Sequence, residues 1–343
     1  MVSMGGVSRN PIVVIFAMAI LASTPIVHAS SSGLAISGFI ETDELSGLTN
    51  VVSYSPNNEL LAVGYTNGVT IYNSTTKEVL KTLNLNDAIE SIEFSESGDL
   101  VAAGLKSLEA HQKSLLLLSG ENGWNVIADT SGSKRVDALD FSIDSEKIAY
   151  SGSTTSLNEI STSDFSDIES YDGIHSEKVT CTSYGPDGNY ILTGGEDGRI
   201  VKWNRSDKSG QTLYNFESFG ISDCGYSKLG KIAFLSTGGS LYVFSENHEM
   251  EYSEDLTQVS KLRWSRDGLR LFVVQSFGGA DVISYTKTSD SWARGSVTSV
   301  GHELNDFDIT ADTNTMVVAT KTKHIVEYSS SFLPLHYGES GLD

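Results

Sequence analysis

Cysteine is almost missing from this 343-residue sequence, which contains two, Cys181 and Cys224, and only seven histidines. Structural zinc, haem and iron–sulfur centres need several such ligands at close spacing, and neither cysteine has a C-x-x-C partner. We therefore expect no metal site and no cofactor.

Positive charge is also scarce, with 23 Lys and Arg against 44 Asp and Glu and a net charge of −21. A field of this sign repels nucleic-acid phosphates and anionic lipid head groups. We expect no nucleic-acid partner and no binding to membrane surfaces. Proline is rare (5) and glycine is frequent (32), which is typical of short strands joined by tight turns.

A continuous apolar run lies near the N-terminus, where residues 11–21 read PIVVIFAMAIL after the positively charged Arg9. The segment closes with Val27-His28-Ala29, which places small residues at the −3 and −1 positions of a cleavage site. The run is shorter than the ~20 residues that span a bilayer. We predict a cleaved signal peptide over residues 1–29 and an exported protein, secreted, periplasmic or at the cell surface, with no membrane insertion after cleavage. A retained membrane anchor is the alternative.

A pattern of an apolar residue, an aromatic anchor, a small residue, a turn and an aliphatic run recurs seven times. The anchors are Tyr54, Phe94, Phe141, Tyr184, Tyr226, Trp264 and, in the most degraded repeat, Ile309. Their separations are 40, 47, 43, 42, 38 and 45 residues. This period, with alternating polarity around each turn, predicts an all-β, seven-bladed propeller of four-stranded antiparallel blades.

The seventh repeat contains three predicted strands and no obvious fourth. We predict that residues 34–40, which precede the first inner strand, pair as the outer strand of the last blade and close the ring. The propeller domain then covers residues 30–333, and residues 334–343 form a loose tail.

Export permits a disulfide between Cys181 and Cys224. The two cysteines fall in equivalent segments of neighbouring repeats, but they precede their anchors by three and two residues respectively. A bridge and a pair of buried free thiols both fit the sequence, and the unequal offsets favour the free thiols.

The fourth repeat resembles a WD repeat, with Gly173-Ile-His175 before the inner strand and Gly-Glu-Asp197-Gly before the third. In that family a His, a Ser or Thr, an Asp and a Trp form a hydrogen-bonded tetrad that stabilises the blade. The resemblance assigns these four roles to His175, Thr193, Asp197 and Trp203. The full set occurs in one repeat only.

Catalytic signatures such as G-x-S-x-G, H-E-x-x-H and the phosphate-binding loop do not occur. We predict a monomeric, non-enzymatic scaffold that binds a protein partner of unknown identity. The candidate contact residues are the basic and His side chains around elaborated loops of repeats 2 and 3, namely Lys106, His111, Lys113, Lys134 and Arg135. The alternative for these loops is length variation without a function.

The second function considered is an exported propeller enzyme or glycan-binding protein that uses the central channel. Carboxylates or histidines converging on one channel mouth would favour it. The small residues Ser53, Ser91, Ala138 and Thr182 on the inner strands favour the scaffold instead.

Two further surface features carry predictions. Asn73 and Asn204 fit the glycosylation sequon just after a third strand, although chance matches are as frequent. The densest acidic stretch, residues 246–255, is interpreted as a solvated edge, with a cation or basic partner as the alternative.

Overall fold

Seven antiparallel sheets of four strands each make up the described part of the chain in a computed structural model. The structure describes residues 35–41, 47–107, 113–131, 134–276, 280–289, 291–301, 303–321 and 324–329. The predicted signal peptide, the predicted tail and His111 lie outside these residues. All of the elements below fall within residues 32–343, which form one unit of the chain.

The strands follow one another in chain order, four to a blade, after an initial strand β1 at Ala35–Glu41. Blade 1 contains β2 (Thr49–Tyr54), β3 (Leu60–Tyr65), β4 (Gly68–Asn73) and β5 (Val79–Asn84). Blade 2 contains β6 (Ile89–Phe94), β7 (Leu100–Leu105), β8 (Lys113–Ser119) and β9 (Asn125–Ser131). Blade 3 contains β10 (Val136–Phe141), β11 (Lys147–Gly152), β12 (Leu157–Ser161) and β13 (Ile168–Tyr171).

The remaining blades repeat this arrangement. Blade 4 contains β14 (Val179–Tyr184), β15 (Tyr190–Gly195), β16 (Arg199–Asn204) and β17 (Gly210–Asn215). Blade 5 contains β18 (Ile221–Tyr226), β19 (Ile232–Ser236), β20 (Ser240–Phe244) and β21 (Met250–Asp255). Blade 6 contains β22 (Val259–Trp264), β23 (Arg270–Ser276), β24 (Ala280–Lys287) and β25 (Trp292–Ser299). Blade 7 contains β26 (Leu304–Ile309), β27 (Thr315–Thr320) and β28 (His324–Ser329).

The ring closes between the last blade and the first. The fourth strand of blade 7 is β1, which pairs antiparallel with β28. The inner strand β26 contacts β2 of blade 1, just as each other inner strand contacts the next one along the chain. The described residues include one short 3₁₀ turn, Gly120–Asn122, and none of their helical segments has the length or apolar character of a membrane span.

The turn between the first and second strands has the same geometry in every blade. Its fourth residue has a positive φ, and that residue's N–H donates to the carbonyl of the first. Glycine adopts this conformation without strain and occupies the position in blades 2, 4, 5 and 6. The fourth residues are Asn58, Gly98, Ser145, Gly188, Gly230, Gly268 and Thr313. The small residue after each anchor is the first residue of this turn. In six blades it is a Ser or Thr whose hydroxyl accepts a backbone N–H at the start of the second strand.

The apolar cores lie between blades rather than within them. Seven clusters of buried residues are present in the described chain, and each draws side chains from two neighbouring blades. An isolated four-stranded sheet would leave both faces in water, so stacking around the ring is what buries this surface.

Every inner strand also carries a register shift near its start, for example between Thr49 and Val51 in β2 and between Val179 and Cys181 in β14. A β-bulge of this kind interrupts the alternation of side chains between the two faces. The bulge determines which inner-strand side chains point towards the next blade.

Candidate functional site

The four tetrad residues of blade 4 are hydrogen-bonded in one chain. His175 Nδ1 lies 3.0 Å from Asp197 Oδ1, and His175 Nε2 lies 2.8 Å from Thr193 Oγ1. Trp203 Nε1 donates to the same hydroxyl at 2.8 Å. Burial lowers the pKa of His175, against the opposing effect of Asp197. The ring is therefore neutral at pH 7, with its proton on Nδ1 facing Asp197 and with Nε2 accepting the proton of Thr193.

Asp197 joins the loop before the blade to the turn within it. Its carboxylate also accepts the backbone N–H groups of Ser176 and Arg199, at 2.9 and 3.1 Å. Gly195 leaves room for the contact, since a Cβ there would lie 2.6 Å from both Asp197 Oδ1 and His175 Nδ1. Thr193 is fully buried, so its hydroxyl cannot reach a substrate although the His–Asp–Thr order resembles a catalytic triad.

Cys181 and Cys224 form a disulfide between the inner strands of blades 4 and 5. The interpretation favoured from the sequence, two free thiols, is wrong. A residue three positions before one anchor lies next to the residue two positions before the following anchor, where neighbouring inner strands meet. Asp223, three residues before its anchor, accepts the N–H of Leu262, which lies two residues before the next anchor. The disulfide makes the same connection covalently.

The basic residues predicted to bind a partner lie on the upper face, formed by the loops between blades and between second and third strands. Arg135 is paired with Glu90 at 2.9 Å and with Asp137. Lys113 is paired with Asp129 at 2.9 Å. Lys134 is exposed, Lys106 is half-buried, and neither side chain has a bonded partner within the described ranges. Two of the four lysine and arginine charges are thus neutralised locally, and the patch itself stays a prediction.

The acidic stretch at residues 246–255 is solvated only in part, since Glu246, Glu249 and Asp255 are exposed whereas Glu251 and Glu254 are partly buried. Glu251 is bound by Lys231, Lys287 and the indole of Trp292, at 2.8, 3.1 and 2.8 Å. Glu254 accepts from Tyr285 at 2.8 Å and pairs with Arg294 at 2.9 Å. Blades 5 and 6 are therefore connected by ion pairs that the linear acidic pattern does not reveal.

The two sequon asparagines occupy equivalent ends of third strands. Asn73 Oδ1 accepts the N–H of Thr75 at 3.0 Å, and Asn204 Oδ1 accepts the N–H of Ser206 at 2.9 Å. Each side chain thus caps the turn that follows its strand. Glycosylation at either asparagine stays a prediction.

The central channel is a cavity of 360 Å³ lined by the inner strands of all seven blades. The residue immediately before each anchor, here called the pre-anchor residue, usually binds the next blade. Asp140 accepts the N–H of Tyr184 at 2.6 Å, and Asp308 accepts that of Tyr54 at 2.7 Å. The seven pre-anchor residues are Ser53, Glu93, Asp140, Ser183, Gly225, Arg263 and Asp308.

Charge in the channel is unevenly neutralised. On the side of blades 5 to 7, Arg263 pairs with Asp306 at 2.9 Å and lies 3.8 Å from Asp223. On the opposite side, Glu93 of blade 2 has no hydrogen-bond or ion-pair partner among the residues that the structure describes. Asp140 of blade 3 accepts hydrogen bonds from the backbone of Tyr184 and the side chain of Ser183 but has no ion-pair partner among them. The small residues Ser53, Ser91, Ala138 and Thr182 do line the channel. The pre-anchor positions of four blades are charged, however, so the lining is mixed.

Burial raises the pKa values of these carboxyls. The pKa of Asp140 rises from 3.8 to about 7 and that of Asp308 to about 6, although each accepts backbone N–H groups that act the other way. The pKa of Glu93 is held well above its ordinary value by burial and by the nearby charge of Asp140. Such shifts occur where carboxylates lack water and counter-charges.

The lower mouth of the channel is surrounded by the turns that join first to second strands. Glu96 of blade 2 pairs across this mouth with Lys228 of blade 5 and Arg266 of blade 6, each at 3.0 Å. Ile143, Leu229 and Leu269 project from three of the turns and are 51%, 48% and 45% exposed. We call Ile143, Pro186, Leu229 and Leu269, in the successive turns of blades 3 to 6, the apolar arc.

Metal binding finds no support in these groups. Within the described ranges, no three His, Cys, Asp or Glu side chains are arranged to hold a metal ion.

Comparisons with known proteins agree with this architecture. Residues 170–204 match the family model described as WD domain, G-beta repeat, which covers most of blade 4 and its tetrad. A search of curated proteins found no match. A chain of the crystal structure of the mitotic checkpoint complex is similar in fold, with a TM-score of 0.73 and 14% identity, over 94% of this chain and 99% of that one. The match and the fold together show a seven-bladed β-propeller in which one blade, blade 4, matches the WD-repeat family model.

Sequence reasoning located the tetrad through its motif but missed Glu93 and Asp140. Both directly precede an aromatic anchor, and that position could have been compared across all repeats. Four of the seven pre-anchor residues are charged, and this pattern in the sequence indicates a polar channel.

Proposed function

We propose that this chain is an exported, non-enzymatic WD-repeat propeller that binds a protein partner on its lower face. The observation that carries the proposal is the apolar arc, since three of its side chains are about half exposed in the first-to-second-strand turns of one face. Grouped apolar side chains on a surface are typical of interaction sites. WD-repeat propellers generally bind protein partners, which supports the same function.

Two observations support export. The disulfide between Cys181 and Cys224 is of a kind that persists in oxidising compartments and is rare in the cytosol. Residues 1–29 have the sequence organisation of a signal peptide. Mass measurement of the mature protein tests this part, because cleavage after Ala29 leaves Ser30 as the first residue.

The non-enzymatic role is supported by the use of the reactive side chains. The tetrad that resembles a triad is buried inside blade 4, where its hydrogen bonds stabilise a turn. The charged channel favours the second function, a propeller that binds a ligand in its central channel.

Site-specific photo-crosslinking tests the proposed face. A crosslinking residue replaces Leu229 on the lower face, Lys134 on the upper face, or Met250, which is 60% exposed on the outer strand of blade 5. We expect the Leu229 probe to capture one protein in near-stoichiometric yield from the native extracytoplasmic fraction, and the other two to capture none. Capture by the probe at position 134 alone would place the binding site on the upper face. If no probe captured a protein, the proposed scaffold function would be refuted.

A further inference from the structure

Glu93 differs from every other pre-anchor residue of the ring. The hydroxyls of Ser53 and Ser183 and the carboxylates of Asp140 and Asp308 each accept a backbone N–H of the next blade. Arg263 is ion-paired and Gly225 uses its carbonyl. Glu93 alone among the seven has no such partner within the described residues. Its carboxylate is one methylene longer than that of aspartate and therefore extends further from its strand.

A second unsatisfied group lines the same cavity. Thr182 of blade 4 is 7% exposed and lines the channel, and its hydroxyl has no hydrogen-bond partner within the described residues. A buried polar atom without a partner costs about 1–3 kcal/mol. Such a group favours a bound molecule that supplies the missing hydrogen bond.

The charges around Glu93 define the kind of ligand. The charged side chains that line the channel and its lower mouth are Glu90, Glu93, Glu96, Asp137, Asp140, Asp223 and Asp308, against Lys228, Lys261, Arg263 and Arg266. Glu90 and Asp137 are paired with Arg135. Three of these cations are already paired, with Asp306 or with Glu96. Glu93 and Asp140 lie on adjacent inner strands opposite Arg263 and have no ion pair among the described residues. This side of the cavity therefore has excess negative charge.

We propose that the channel binds an alkylammonium or guanidinium group between the carboxylates of Glu93 and Asp140. Both cations carry several N–H donors and no acceptor, which matches two carboxylates and an orphaned hydroxyl. The cavity of 360 Å³ accommodates a short alkyl chain behind the charged group. The cation comes either from a free amine or from a Lys or Arg side chain of a protein. The site exists whether or not the apolar arc binds a protein.

Binding of a cation is coupled to proton release. A positive ligand stabilises the ionised carboxyls, whose pKa values are raised in the free protein. Below those pKa values, each binding event expels protons, so affinity rises with pH by up to about tenfold per unit for each proton released. Affinity is then expected to level off above the pKa of the last coupled carboxyl.

Titration with small probes tests the site directly. n-Butylammonium and n-butylguanidinium are titrated into the mature protein at pH 5 and pH 8, with n-butanol as the uncharged control. We expect saturable binding of both cations, at least about tenfold tighter at pH 8, and none of butanol. Equal binding of butanol, or no saturable binding of either cation at pH 8, would overturn the proposal.

Matched variants locate the bound cation. E93Q should weaken binding at least fivefold and remove much of its pH dependence, whereas E303Q removes one exposed carboxylate of the upper face and should change neither. D140N provides a second test, and E93Q remains informative if D140N unfolds, because no described group bonds to the Glu93 carboxylate. Unchanged binding in a folded E93Q protein would overturn the proposal.

A peptide probe separates the two sources of the cation. Acetyl-Leu-Lys-Leu-amide and its Gln counterpart are compared by the same titration. Binding of the Lys peptide supports a protein side chain as the ligand, and binding of butylammonium alone supports a free amine. The peptide comparison decides only the source of the cation. The titration with butylammonium and butylguanidinium decides whether the site exists.

Discussion

Thr193 is the residue on which the blade 4 tetrad depends. Its hydroxyl accepts from Trp203 and donates to His175, so T193V leaves two buried polar groups without a partner. Each unsatisfied group costs about 1–3 kcal/mol, and we expect the free energy of unfolding to fall by about 2–4 kcal/mol in urea titrations. The control is T212V, at an exposed position of β17, which should change stability by less than about 0.5 kcal/mol.

The conservative variant T193S distinguishes the hydrogen bonds from simple packing. It keeps the hydroxyl and removes one methyl group, so most of the stability should remain. If T193V and T193S were equally destabilised, the tetrad's hydrogen bonds would not be the source of the effect.

At the scale of strands, the disulfide fixes the inner strand of blade 4 to that of blade 5. The bridge closes a loop with a sequence separation of 43 residues, for which loss of unfolded-chain entropy corresponds to roughly 4 kcal/mol. We expect the double variant C181A/C224A to unfold at a lower temperature by calorimetry. Dithiothreitol should lower the transition of the natural protein and leave that of the variant unchanged. A natural protein insensitive to reductant would contradict this stabilising role.

At the scale of the whole ring, the channel carboxyls make stability depend on pH. The pKa of Asp140 is about 7 in the folded chain against 3.8 ordinarily, and that of Asp308 is about 6. The folded state therefore binds more protons than the unfolded state between about pH 4 and 7, and stability falls as pH rises through that window.

Urea midpoints measured from pH 5 to 7.5 test this dependence. We expect D140N to reduce the slope, because the amide oxygen can still accept the N–H of Tyr184 while no longer titrating. Stability that increased with pH over this range would contradict the raised pKa values.

Much of the fold could be predicted from the sequence because the repeat is local. Each repeat places three features within about a dozen residues. These are the anchor, the turn with a positive φ at its fourth residue, and the aliphatic strand that follows. The tetrad could also be located, since His175, Thr193, Asp197 and Trp203 occupy the positions that the WD motif assigns. The partners of Glu159 could not, because Tyr171, Tyr184 and Arg205 reach it from two blades.

By itself, the sequence determined the number of blades, their four-stranded composition and the residues of the one complete tetrad. The tertiary structure decided the pairing of Cys181 with Cys224, the polar character of the channel and the isolation of Glu93. The physical reason is the β-bulge in each inner strand, which breaks the alternation of faces, together with ring closure, which sets blade 2 opposite blades 5 and 6. The disulfide and the channel contacts depend on where separate blades meet, and no local sequence pattern encodes those positions.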